Sequence, residues 1–190
     1  MTRSLPKPRA GPLGLWDRLV GPGMTLAENT LVLGVSFASA GFVGLYLKSL
    51  GMDWLRVTLG AFIAFDIIGG AVCNMTDTTK RWYHRKGQRS KDHFVFIGLH
   101  VLHIACVALV FRGPGFDLFF MSVIAGWLAM SAIVVLTAPL TVKTPLAVTL
   151  YVGATGLVLY VTGPTYGLEW FVPLLFVKLL MGHAIPQHGR

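Results

Sequence analysis

The stretch Asp53–Asn74, DWLRVTLGAFIAFDIIGGAVCN, decides the fold. Apart from Arg56 near its start, it is apolar or small over ~20 positions, enough to cross ~30 Å of hydrocarbon at ~1.5 Å per residue. One residue interrupts it: Asp66. A carboxylate at the centre of such a helix costs roughly 2.5–3.5 kcal/mol on insertion scales. A chain keeps that group where it faces a cavity, pairs with another group, or does chemistry.

The same pattern recurs on both sides of this stretch. Of 190 residues, 54% are hydrophobic and 13% charged, against ~25% charged in a soluble domain. The sequence therefore predicts an all-α fold, a polytopic transmembrane helical bundle of about six spans, with no room for a soluble second domain of any size. The spans are 28–47, 53–74, 93–111, 118–137, 146–161 and 168–185, the fifth being the shortest. Gly51, Gly113-Pro114-Gly115, Pro139, Pro145 and Gly163-Pro164 mark the breaks. Residues 1–24 read as a cytoplasmic or interfacial segment containing an amphipathic helix over Leu13–Val20, 25–185 as the membrane domain, and 186–190 as a tail. Ala38-Ser39-Ala40 imitates a signal cleavage site, but the apolar run continues through Gly41–Leu47, so this segment reads as a span.

Charge sets the orientation. Arg3, Lys7, Arg9, Arg18, Lys80, Arg81, Arg85, Lys86, Arg89, Lys91, Lys143 and Arg190 fall on one side, while Lys48, Arg56 and Arg112 fall on the other. The positive-inside rule then predicts cytoplasmic N- and C-termini in a multi-pass protein of the cell membrane. The net charge of +8 follows from this asymmetry and calls for no nucleic-acid partner; the expected partners are membrane lipids and a hydrophobic small-molecule substrate. Cys73 and Cys106 lie in apolar segments and read as buried small hydrophobes. Ser36, Ala40, Gly44, Gly69, Gly70, Gly153 and Gly156 read as packing positions without a chemical role.

Asp66 is not alone in the apolar spans. His100, His103 and Lys178 also interrupt them, with His183 nearer an end. At ~1.5 Å per residue, Asp66, His100, His103 and Lys178 all lie roughly 10–15 Å from the cytoplasmic ends of their spans. A helical projection places Asp66, Gly70, Cys73, Asp77 and His84 on one stripe if the second helix continues past the membrane surface. His100 and His103 share a face of the third span, expected to be an antiparallel neighbour of the second. His183 projects about 140° from Lys178 and reads as part of the helix end.

Three chemistries fit this set. Asp66, His100 and His103 form an acid–base group or, with the i, i+3 histidines, the ligands of a divalent metal ion. Lys178, with Asn74, Asp77, Arg81, His84 and Arg85 at the cleft mouth, would bind substrate, the basic residues anchoring an anionic group. The expected function is a small integral-membrane enzyme of lipid metabolism, acting by acid–base or metal-assisted chemistry on a lipid or isoprenoid-type substrate. A proton-coupled transporter or channel component is the alternative. A haem-binding electron-transfer subunit, with His183 opposite His100 or His103, is the third reading. The run from Asp66 to Asp77 lacks the Asp-Gly pair, the Ala-Arg and the later aspartates of the membrane CDP-alcohol phosphotransferases, so it carries no activity over from them.

Overall fold

The computed structural model describes residues 5–187, and Arg3, His188 and Arg190 lie outside them. Among the described residues the fold is all-helical: α1 (Gly11–Val20), α2 (Leu26–Ser49), α3 (Trp54–Met75), α4 (Asp77–Tyr83), α5 (Ser90–Leu99), α6 (Val101–Val110), α7 (Leu118–Thr137), α8 (Leu140–Leu157) and α9 (Phe171–Phe176). α8 runs on as a π-helical turn over Val158–Thr162, and α9 as a π-helix over Val177–His183. Five helices are long and apolar enough to cross a membrane: Leu26–Ser49, Trp54–Met75, Ser90–Val110, Leu118–Thr137 and Leu140–Thr162.

Local chemistry sets the boundaries. Thr25 and Glu28 form a capping box at the start of α2, and Asp53 and Asp117 accept from Arg56 N–H and Phe120 N–H to start α3 and α7. Pro145 does not open the fifth long helix, as its position suggested. It sits inside α8, one turn beyond the unpaired first N–H groups, where it removes one ladder bond without ending the helix. The helix therefore begins at Leu140 and is not the shortest.

The shortest is the last. Phe171–His183 is too short to count among the spanning helices, but it is the most enclosed element. Phe171, Leu175, Phe176, Leu179 and Leu180 are wholly buried against α3, α7 and α8. A helix apolar all round belongs in the interior, shielded by its neighbours. The expected six spans, the fifth shortest, are thus five long helices and a short enclosed last one packed on α3, α7 and α8.

α3 is not a close neighbour of the third apolar rod, as the short connection between them suggested. It packs along α2 and along the last helix, and it reaches α5–α6 mainly through side chains. The connection is occupied by α4. Thr76 ends α3 with extended backbone (φ −69°, ψ 148°), donates from its hydroxyl to the Cys73 carbonyl at 2.8 Å and accepts from Thr79 N–H as the cap of α4. That break stops the polar stripe of α3 at Cys73.

Cations close the helix C-termini. Lys80 Nζ donates to the carbonyls of Met181, Gly182 and Ile185 at 2.9–3.1 Å. Lys143 Nζ donates to Val135 and Leu136 at the end of α7, Arg56 to Val110 at the end of α6, and Arg112 to Thr162 and Gly163 beyond α8. Each places positive charge on carbonyls that have no helical partner. Two residues assigned to the basic surface, Lys80 and Lys143, are therefore mostly internal caps; burial lowers the Lys80 ammonium to about 8.

Candidate functional site

Asp66 is the meeting point of three helices. Lys178 from the last helix donates to its Oδ2 at 2.6 Å and to its backbone carbonyl at 3.0 Å. His103 Nε2 lies 3.2 Å and His100 Nε2 3.8 Å from the same oxygen, both from the α5–α6 rod. The Lys178 side chain is 3% exposed, whereas that of Asp66 is 38% exposed because it also forms part of a cavity wall.

Gly70 makes the Lys178 contact possible. A Cβ at Gly70 would lie 2.6 Å from Lys178 Cε and 2.8 Å from Nζ, so the ammonium passes over bare backbone to reach Asp66. Gly69, the position before it, packs directly on Ser36 of α2. The sequence predicts packing roles for both glycines; Gly70 also shapes the site. Its position one turn after Asp66 was a signal for this.

His100 is held by the defect it creates. Its Nδ1 lies 2.8 Å from the Phe96 carbonyl, the acceptor that an unbroken helix would give to His100 N–H. The backbone N–H bonds Ile97 instead, and the rod divides into α5 and α6 at this residue. A carbonyl only accepts, so Nδ1 carries a hydrogen, and Nε2 is the nitrogen turned towards Asp66. His103 also turns its Nε2 to the carboxylate, at 3.2 Å, and its Nδ1 is buried with no partner among the described residues. The two rings stack 5.3 Å apart, 19° from parallel. Together they place two ring nitrogens beside Asp66, each of a kind that can accept or release a proton.

A second cluster lies nearer the connection. His93 Nδ1 and His183 Nε2 are 3.0 Å apart, His84 stacks on His93 with centroids 4.6 Å apart, and His84 Nε2 donates to the His183 carbonyl at 2.9 Å. Burial, with the nearby His93 charge next in size, lowers the His84 imidazole to about 4. The sequence placed His183 away from Lys178 because a regular helix separates residues five apart. The π-helix bonds residue i to i+5, as in Ala184 N–H to the Leu179 carbonyl at 2.9 Å, and so brings residues five apart towards one face. Phe96 lies between the clusters, 3.9 Å from the His183 ring and 5.0 Å from that of His100.

The cavity is about 170 Å³. Asp66, Lys178 and Asn74 supply its principal polar groups, Phe65, Val32 and Phe96 much of its apolar wall, and Trp16, Leu19 and Val20 of α1 close one side. The sequence predicts only an amphipathic interfacial helix here, with no part in a site. Leu13, Leu15 and Leu19 are indeed exposed, but the helix is tied down across the cavity. Thr79 Oγ1 donates to the Val20 carbonyl at 2.6 Å, Tyr83 Oη to Leu19 at 2.8 Å, and Trp82 Nε1 to Arg18 at 3.0 Å. Trp16 Nε1 donates to Asn29 Oδ1 at 2.9 Å. Asp17 accepts from the Arg9 side chain and N–H, which hold its carboxyl at about 2.

The other expected substrate residues lie elsewhere. Asp77 opens α4, Arg81 donates to the Asp77 carbonyl and the Thr78 hydroxyl, and Arg85 lies 3.6 Å over the Trp82 ring; none lines the cavity. His84 belongs to the second cluster. Asn74 is in the lining, its Nδ2 donating to the Lys178 carbonyl at 3.2 Å. The divalent-ion reading finds a poor donor set: among the described residues no group of three or more His, Cys, Asp and Glu could hold a metal, and Asp66 already receives an ammonium. No histidine lines the cavity, and His183 is bonded to His93 rather than opposed to His100 or His103 across a space, so the haem reading has no geometry behind it. Comparison with protein-family models, curated proteins and solved structures finds no match to this chain, so the site itself must carry the functional reading.

Proposed function

We propose that the five long helices and the enclosed last segment, 168–185, each cross the membrane, with both termini cytoplasmic, and that the protein is a small integral-membrane enzyme of lipid metabolism that moves protons on a lipid or isoprenoid-type substrate. The observation that carries this reading is the convergence of Lys178, His103 and His100 on one oxygen of Asp66 at the wall of an apolar cavity. Asp66 is the group that meets the substrate and exchanges its proton. His103 and Lys178 balance the carboxylate charge, and His100 Nε2 is the second proton acceptor. Asn74 positions Lys178 through its backbone carbonyl, and Arg81 and Arg85 face the lipid surface rather than the bound molecule.

Asp66→Asn keeps the volume but removes the exchangeable proton, and His103→Gln keeps one polar contact without a titrating ring. Each is expected to change the lipid profile of cells carrying the protein, while the purified variants remain folded. Folded variants with wild-type lipid profiles would sink the enzyme reading.

The second reading, a proton-coupled carrier, is favoured by the imidazoles of His84, His93 and His183 leading away from the site. Against it stands the opposite half of the bundle, where Ile63, Ile104, Ile124, Phe120 and Phe171 are at most 2% exposed and leave no polar route. Proton flux across vesicles containing the protein, abolished in Asp66→Asn, would reverse the ranking.

A further inference from the structure

We infer that the cavity beside Asp66 takes an uncharged long-chain alcohol, hydroxyl end first, with its chain running back towards Trp16. The inference rests on the cavity being the substrate site and names the class of molecule that fits it. The three ionisable neighbours of Asp66 all approach Oδ2; Oδ1 has no hydrogen-bond partner among the described residues. Lys178 Nζ uses two hydrogens, on Oδ2 and on the Asp66 carbonyl, and has a third to give. The site thus offers one acceptor and one donor side by side on the cavity wall. A hydroxyl is a donor and an acceptor at one atom, and it satisfies both.

Charge excludes the phosphate-headed version. The Lys178 ammonium is already matched by Asp66 at 2.6 Å, and Arg81 and Arg85, the expected anion anchors, are off the cavity. An added anion would meet an open carboxylate oxygen with no unpaired cation, a costly burial. The order of the lining residues sets the direction. Asp66 and Phe65 lie at one end, eight residues or roughly 12 Å along α3 from Asn74, while Trp16, Leu19 and Val20 close the other. The polar end of a lipid ordinarily stays at the membrane surface; here Asn74 Nδ2 and Tyr83 Oη at the shallow end are engaged by the Lys178 and Leu19 carbonyls, and the open donor and acceptor are the deep ones on Lys178 and Asp66.

The probes are dodecanol brominated at its tail end, dodecanol brominated next to the hydroxyl, and tail-brominated dodecyl phosphate, each added to the protein in lipid nanodiscs while tryptophan fluorescence is read. Bromine quenches indole on close approach. The tail-brominated alcohol is expected to quench a saturable fraction that disappears in Trp16→Phe, with the phosphate at least tenfold weaker. The alcohol brominated beside its hydroxyl should quench Trp16 less. Equal or stronger binding of the phosphate, stronger quenching by bromine beside the hydroxyl, or no saturable fraction assigned to Trp16 overturns the inference; the comparison among probes needs no variant to fold. Alcohol binding together with an unchanged lipid profile in Asp66→Asn keeps the inference and rejects the enzyme reading. A changed profile without alcohol binding does the reverse.

Discussion

At the scale of single residues, the Asp66–Lys178 pair holds two elements together as well as forming the site. Breaking a fully enclosed pair costs about 3–5 kcal/mol because one charge is left alone. Asp66 faces the cavity, so a lower cost is expected: Lys178→Met should destabilise the protein by about 2 kcal/mol in denaturant-induced unfolding. Asp66→Asn in the Lys178→Met background should recover part of that loss, since the stranded carboxylate is gone. Strictly additive losses would mean that the two side chains do not act as a pair. Gly70 shows how a residue without a side chain belongs to a site: its missing Cβ is the space through which Lys178 reaches its partner.

At the scale of elements, α4 joins α1 to the end of the last helix. His84 and Lys80 dock it there, on the His183 carbonyl and on the three carbonyls around it. The His84 imidazole is held at about 4, against 6.5 when free. Between those values the unfolded chain binds a proton that the docked ring refuses, so stability is complete above about pH 6.5 and falls as pH drops towards 4. His93 contributes to this through its charge, as do Lys80 and Lys143 to a smaller extent. Amide exchange of residues 77–84, corrected for intrinsic rates, should speed up between pH 7 and pH 5 in the wild type. In His84→Gln the change should be much smaller; an identical pH response would show that His84 is not the sensor.

At the scale of the whole molecule, five long helices pack with one short, enclosed helix, and cationic caps lie at both ends. The proposed six crossings would put the connection after α4 and the turn before α7 on opposite sides. A cysteine introduced at Gly87 is expected to react with a membrane-impermeant thiol reagent only from the cytoplasmic side, and one at Gly113 only from outside. Both glycines have open space around them, although their positive φ adds some strain to the substitution. Labelling of both from the same side would disprove the six-crossing topology. Cys73 is buried and Cys106 half-buried, which limits the background from the native thiols.

Apolar length and composition by themselves determined that the fold is helical, with several segments suited to a membrane, because the ~30 Å hydrocarbon thickness demands long uninterrupted runs. The same reasoning brought out Asp66, His100, His103 and Lys178 as a set, because an ionisable group is costly in such a run and depth follows from counting residues. Tertiary structure alone decided the rest. Regular 100° steps could not anticipate the cap at Thr76, the break that His100 makes in its own rod, or the π-helix that turns His183 inward, since each is a local departure from the period on which projection depends. Nor could the sequence show that α1 closes the cavity or that Lys80 and Lys143 cap helix ends, because a hydrogen bond between distant segments leaves no periodic trace in either. Periodicity records which way a residue faces along its own helix; what it meets there is set by the packing of the others.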